Sequence, residues 1–161
     1  MAEAKAFEAG RQKGSRARAR RRRVPLREEP WENLAKEAKG LMGCALRLRN
    51  RDPRRAERAA ERAFGSYLSA SRKADSERQK ADLLVEAGKA LSFAAFLCEK
   101  RDTRRAGRMH EEAGDCIYSG ARHGAISEAS VKALAKREYE RAWELGGNAR
   151  VLERKMGTCD R

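Results

Sequence analysis

Small apolar residues recur at helical spacing along the chain from about residue 30 onward, and the polar breaks between the runs predict six helices. The first starts near Trp31, carries apolar positions from Leu34 to Leu48 and ends before Asn50-Arg51-Asp52-Pro53. Asp52 can cap a second helix, and Pro53 suits its first position because its missing N–H would have no partner there. That helix runs to about Lys73, with Ala56, Ala59, Ala60, Ala63, Phe64, Tyr67 and Leu68 on one stripe. Ser76 with Gln79 reads as a capping box opening a third helix to about Lys100. Asp102 or Thr103 caps a fourth, whose stripe is Ala106, Met109, Ala113, Ile117 and Ala121 and which Gly120 to Gly124 loosens. Ser127 caps a fifth that ends at Gly146-Gly147. A short sixth, from Asn148 to about Met156, is expected to cover the open end, with Gly157 to Arg161 fraying.

The pattern also repeats. Ala38, Met42, Ala45 and Leu48 return as Ala87, Leu91, Ala94 and Leu97, and again as Ala135, Tyr139, Ala142 and Leu145, in two almost equal steps along the chain. Between these copies Arg51-Asp52-Pro53-Arg54-Arg55-Ala56 is echoed by Arg101-Asp102-Thr103-Arg104-Arg105-Ala106. A period of this length points to stacked helical hairpins, in which each layer buries its neighbour. Alanine and glycine on the stripes let backbones approach, while Phe64, Phe93 or Trp143 fills the space between layers. A plain five-helix bundle with alanine-rich seams is the alternative.

The segment Ala135-Lys136-Arg137-Glu138-Tyr139-Glu140-Arg141-Ala142-Trp143-Glu144-Leu145-Gly146 resembles the second helix of a tetratricopeptide repeat. In that family a small residue is followed by a large one four positions on and by alanine three after that. Gly65 with Leu68, and Gly114 with Ile117, stand where the family's first helix carries glycine and a large apolar residue. The repeats here are longer than the family's roughly 34 residues. The resemblance spans about residues 34 to 150 and implies an all-α, TPR-like α-solenoid of antiparallel helix hairpins. It also implies a non-catalytic groove that receives a peptide or a helix of a protein partner. The positions of the family's clamp for acidic peptide tails hold Arg62 and Ser66 in one repeat and Glu111 and Asp115 in the next, so that ligand is not expected.

Composition adds an arm to this picture. At 161 residues, 40% apolar and 39% charged, the chain suits one helix-rich domain. No stretch approaches the roughly 20 apolar residues of a membrane span. Residues 1–27 carry ten cations against Glu3 and Glu8, a net +8 of the whole chain's +14. Residues 1–29 are therefore read as a disordered basic N-terminal arm, 30–157 as the helical-repeat domain and 158–161 as a frayed tail. Arg16, Arg18, Arg20, Arg21, Arg22 and Arg23 form a polycation without aromatic interruption, suited to phosphates rather than to base stacking. A nuclear-localisation stretch, a solubilising tail or attraction to anionic lipid are the other readings of such a run.

Arg54, Arg55, Arg104 and Arg105 fall in first helical turns, where the macrodipole disfavours cations by roughly 0.3 to 1 kcal/mol each. Their recurrence suggests a basic ridge, with exposed N–H groups beside them completing an anion site; a solvated face is the alternative. Cys44, Cys98, Cys116 and Cys159, with His110 and His123, match no metal-ligand spacing, so neither metal nor cofactor is expected. Arg105 and His110 are similar to the Arg-x4-His signature of HEPN ribonucleases, a pairing that an arginine-rich chain also produces by chance. The sequence thus reads as a non-enzymatic intracellular adaptor or assembly protein, cytoplasmic, or nuclear in a eukaryote. Its helical repeat would bind a protein partner, and its arm nucleic acid or a ribonucleoprotein. A ribosome-associated structural RNA-binding protein is the runner-up and a HEPN-like ribonuclease the third.

Overall fold

Capping chemistry sets where most of the helices begin. A computed structural model describes residues 30–124 and 127–160, so the arginine-rich arm lies outside the described residues. The elements are α1 (Trp31–Leu48), α2 (Pro53–Lys73), α3 (Glu77–Cys98), α4 (Thr103–Arg122), α5 (Glu128–Glu144) and α6 (Ala149–Cys159), with no strand among the described residues. Asp52 accepts the Arg55 N–H at 2.9 Å and Asp102 accepts the Arg105 N–H at 2.9 Å, in nearly identical backbone conformations. The Ser76–Gln79 capping box is formed in both directions. Ser127 precedes α5 as expected, yet its hydroxyl donates to Ser130 Oγ rather than capping a backbone N–H.

Extensive packing joins helices that follow one another in the chain: α1 with α2, α2 with α3, α3 with α4, α4 with α5 and α5 with α6. Connections of three to five residues fold each helix back along its predecessor. Three corners, 49–52, 99–102 and 145–148, therefore share one end of the molecule, and 74–76 lies at the other with the end of α4 and the start of α5.

Alanine lines the seams. Ala38, Ala45, Ala56, Ala60, Ala63, Ala87, Ala94, Ala106, Ala113, Ala135 and Ala142 are all buried, and the largest fully buried side chains are Tyr139, Ile117, Leu152 and Cys98. Ala38, Ala87 and Ala135, the first residues of the three sequence copies, are each 0% exposed. Trp143 departs from its expected role as a filler: it is 45% exposed at the end of α5.

Three local expectations are corrected. Gly120 does not loosen α4; it is buried, and a Cβ there would come within 2.9 Å of the Ala81 carbonyl on α3. The helix continues to Arg122 and ends at Gly124, whose positive φ closes it. Gly65 and Gly114 are not equivalent. The step from the Asp52 cap to the Asp102 cap fixes the register of α4 on α2, and in that register Gly114 is the counterpart of Phe64. Gly114 receives the Tyr139 ring, whereas a Cβ on Gly65 would meet nothing within 4 Å. Finally, the tail does not fray at Gly157. Helix α6 runs to Cys159, which is buried in the Tyr139–Leu152 cluster.

Gly65→Ala should therefore stabilise the fold by about 0.5–1 kcal/mol, the ordinary gain of alanine over glycine inside a helix. Gly114→Ala should destabilise it by about 1–3 kcal/mol through overpacking against Tyr139. Urea unfolding of the two variants, with equal effects as the contrary outcome, checks the register.

Candidate functional site

Two charged systems hold helices that are two apart in the chain. The first joins α2, α4 and α6. Arg101 and Arg105 both reach the Glu57 carboxylate, which is only 3% exposed, with Arg105 Nη1 at 3.0 Å, and Arg105 also donates to Glu61. Lys155 Nζ makes the corresponding contacts further along, to Glu111 Oε1 and Asp115 Oδ2, both at 2.8 Å. Glu61–Arg105 and Glu111–Lys155 each span 44 residues. Glu111 and Lys155 lie beyond Glu61 and Arg105 by the same step that carries the Asp52 cap to the Asp102 cap.

The second system joins α3, α4 and α5 and centres on His110 of α4. The ring is 4% exposed, with Nδ1 2.7 Å from Glu138 Oε2 and Nε2 3.1 Å from Glu99 Oε1. Both ring nitrogens thus face a carboxylate oxygen, one from α5 and one from the end of α3. Ser92 donates to Glu138 at 2.9 Å, and Arg141 grips Glu99 with Nε at 3.0 Å and Nη2 at 2.6 Å. The bidentate Arg141 contact, followed by His110, holds the Glu99 carboxyl below its ordinary value despite burial. No buried side-chain nitrogen or oxygen among the described residues lacks a hydrogen-bond partner. Tyr139 donates to Asp115 at 2.9 Å, and Lys155 sits 5.5 Å from its ring centroid.

These contacts redistribute the expected site residues. Arg54, Arg55 and Arg104 are exposed at the shared end of corners 49–52 and 99–102, and none takes an ion pair among the described residues. Arg105 does not join them as a free cation, because Glu61 and Glu57 occupy its guanidinium and hold it charged. The helix N-termini are not open anion sites either, since the Asp52 and Asp102 carboxylates take N–H groups of the first turns. Arg16, Arg18, Arg20, Arg21, Arg22 and Arg23 lie outside the described residues.

Arg105 and His110 face different partners: one the α2 carboxylates, the other Glu138 of α5 and Glu99. Burial pushes the Cys98, Cys116 and Cys159 thiols up, Cys116 to about 11, which keeps them protonated at neutral pH. No group of three metal-ligating side chains occurs among the described residues. Helices α2 and α4, the first helices of the expected repeats, whose stacking is expected to line the partner groove, carry the ion pairs just described. Two shallow hollows lie elsewhere: one is lined by Met42, Leu46 and Tyr67 beside Lys39 and Glu86, and the other sets Phe93, Phe96 and Leu134 beside the His110 network. The His110 network is not readable in the sequence, because the histidine stands 11 residues from one carboxylate and 28 from the other.

No family model matches the chain, and no curated protein or solved structure matches it.

A carboxylate held below its ordinary value near 4.5 stabilises the fold at neutral pH, a contribution that disappears as pH falls through the lowered folded value. Glu99→Gln should cost about 1.5–3 kcal/mol at pH 7, the range for hydrogen bonds to charged groups. It should also flatten the decline of stability below pH 4.5. Urea midpoints of both proteins from pH 7 to pH 3 measure this, and parallel curves would remove Glu99 as the acid-sensitive group.

Proposed function

We propose that this chain is a non-enzymatic adaptor: a TPR-like stack of helical hairpins that holds a protein partner, with phosphates of a nucleic acid or ribonucleoprotein engaged by its basic arm and basic corners. The observation that carries the stack is the recurrence of contacts, not only of residues. The Asp52 cap returns as the Asp102 cap, and the Glu61–Arg105 pair returns as Glu111–Lys155, all in one common register. Such an architecture offers extended surface and little enclosed space, which suits binding rather than chemistry.

The phosphate side rests on charge that takes no ion pair among the described residues. Arg54 and Arg104 occupy equivalent exposed positions at one end, beside the exposed Arg49, Lys100 and Arg108. With the arm they give a discontinuous polycation that can bind phosphates by counterion release. Arginine favours bidentate phosphate contact over a lysine point charge.

Fluorescence polarisation of the full chain with a single-stranded RNA, across a series of salt concentrations, tests the reading. Arg54→Gln with Arg104→Gln should lower the slope of log K against log salt by about 0.7 for each phosphate no longer neutralised. Replacing Arg20 to Arg23 with Gln should lower it further. Salt-independent binding, or slopes unchanged in both variants, would sink the phosphate assignment.

A further inference from the structure

The molecule contains a worked example of how one of its hairpins receives a helix. Helix α2 lies on the α3–α4 hairpin by two devices. Its Ala63, Tyr67 and Ala70 pack with Leu83, Ala87 and Ala90 of α3, and its Glu57 and Glu61, one turn apart, take Arg101 and Arg105 at the 99–102 corner and the start of α4.

The α1–α2 hairpin carries the charged part of the same receiving surface without a partner among the described residues, and the leucines of its apolar part are only partly covered. Arg51 and Arg55 are the counterparts of Arg101 and Arg105, at the equivalent corner and in the same positions around an Asp cap. Both are exposed, and neither takes an ion pair among the described residues. Leu34, Ala38 and Leu41 of α1 are the counterparts of Leu83, Ala87 and Ala90 in the apolar repeat. Leu83 and Ala90 are buried under α2, at 7% and 1% exposed, while Leu34 and Leu41 are only half-buried. Helix α1 buries two residues, Ala38 and Ala45, where α3 buries ten. No helix among the described residues precedes α1.

We infer that the open α1–α2 end is a docking site for a helix of the α2 type from a partner protein: Glu-x-x-x-Glu facing Arg51 and Arg55, followed by a stripe of small and aromatic residues lying on the accessible parts of Leu34 and Leu41, beside Ala38, which is already sealed against α2 at 0% exposed. The inference deepens the adaptor reading by naming the class of its protein partner. The arm does not supply such a helix, since the acids of residues 1–29 stand at 3, 8, 28 and 29, none four apart. A second folded copy does not supply it through α2, whose Glu57 and Ala63 are 3% and 0% exposed. The exposed acidic pairs at four-residue spacing on other helices, Asp82 with Glu86 and Glu140 with Glu144, each have one member already bound, by Lys89 and Arg141.

Arg54 and Arg55 divide the labour. Adjacent helical residues point about 100° apart. Arg55 occupies the position from which Arg105 reaches the preceding carboxylates, and Arg54 occupies that of Arg104, which pairs with none among the described residues. The carboxylate fork and the phosphate contacts therefore fall on different residues, which makes them separable by mutation.

The test uses the full chain and a synthetic peptide of residues 53–73, held helical by a side-chain lactam and checked by circular dichroism. Its control is the isomer in which Glu57 exchanges places with Arg58 and Glu61 with Arg62, so charge and composition are unchanged. Both peptides carry six cations and two acids, so the arm repels rather than attracts them. Isothermal titration should show the native peptide binding at least about tenfold more tightly than the isomer, as two charge-assisted contacts imply. Arg51→Gln with Arg55→Gln should reduce it to the isomer's level, and Arg54→Gln with Arg104→Gln should leave it unchanged. Equal binding of the two peptides, no binding, or binding retained in the Arg51/Arg55 variant would overturn the inference. So would peptide-independent self-association, seen by light scattering and abolished in that variant. An RNA affinity that falls with Arg51 and Arg55 but not with Arg54 and Arg104, with no peptide bound, would instead give this end to nucleic acid. Loss of RNA binding without change in peptide binding would count against the phosphate reading alone.

Discussion

Close approach of helices across alanine seams is the constraint from which the rest of this structure follows. A seam of alanines permits intimate backbone contact but buries little apolar area per residue, at roughly 25 cal/mol per Å². Among the described residues the largest side chains sealed fully inside are Tyr139, Ile117, Leu152 and Cys98. Such seams specify distance well and sliding poorly, because one alanine packs much like the next. Register has to come from elsewhere. It comes from the bumps and hollows where glycine meets a large side chain, as Gly88 meets Ile117 and Gly114 meets Tyr139, and from charged contacts that span two helices.

Those charged contacts are expensive to misplace. Glu57 is almost wholly buried and would be stranded if α4 shifted by a turn, leaving a carboxylate without its two guanidiniums. The His110 network has the same property between α3 and α5. At the equivalent positions one layer earlier, Ala60 stands for His110, Ala90 for Glu138 and Gly43 for Ser92. One seam is thus small and apolar, the other polar and hydrogen-bonded throughout. Both are satisfied, which is the condition a buried seam must meet. A half-converted seam, His110 facing alanine for instance, would leave a buried donor without a partner.

Local chemistry is readable in the chain and long-range pairing is not. Asp52-Pro53, Asp102-Thr103 and Ser76 with Gln79 announce helix starts through contacts confined to three or four residues, and the structure has them. Gly65 and Gly120 depart from expectation because a glycine's role depends on what faces it, and that neighbour lies on another helix or is missing. The tail misleads for the same reason: Cys159 is held by a cluster assembled from α4, α5 and α6. Arg105 reads as a surface cation in the sequence because its partners, Glu57 and Glu61, belong to the preceding hairpin. The period of the two Asp caps, slightly longer than that of the apolar stripe, aligns Glu61 with Glu111 and Arg105 with Lys155 and points to the pairs directly.

The same period also bears on where the proposed docking end falls. In a row of like layers every interior contact is made twice, once on each side, so a residue that is structural inside the row becomes a binding group at its end. Arg101 and Arg105 are structural because a layer with Glu57 and Glu61 precedes them. Arg51 and Arg55 have the same identity, the same cap and no such layer among the described residues. Chains of this kind are usually closed by a terminal unit with a polar outer face. Here α6 does that at one end, with Lys155 and Cys159 turned inward and Arg150, Glu153 and Arg154 exposed. At the other end the described residues begin with a partly buried leucine face flanked by arginines, the surface on which the proposed partner helix would sit.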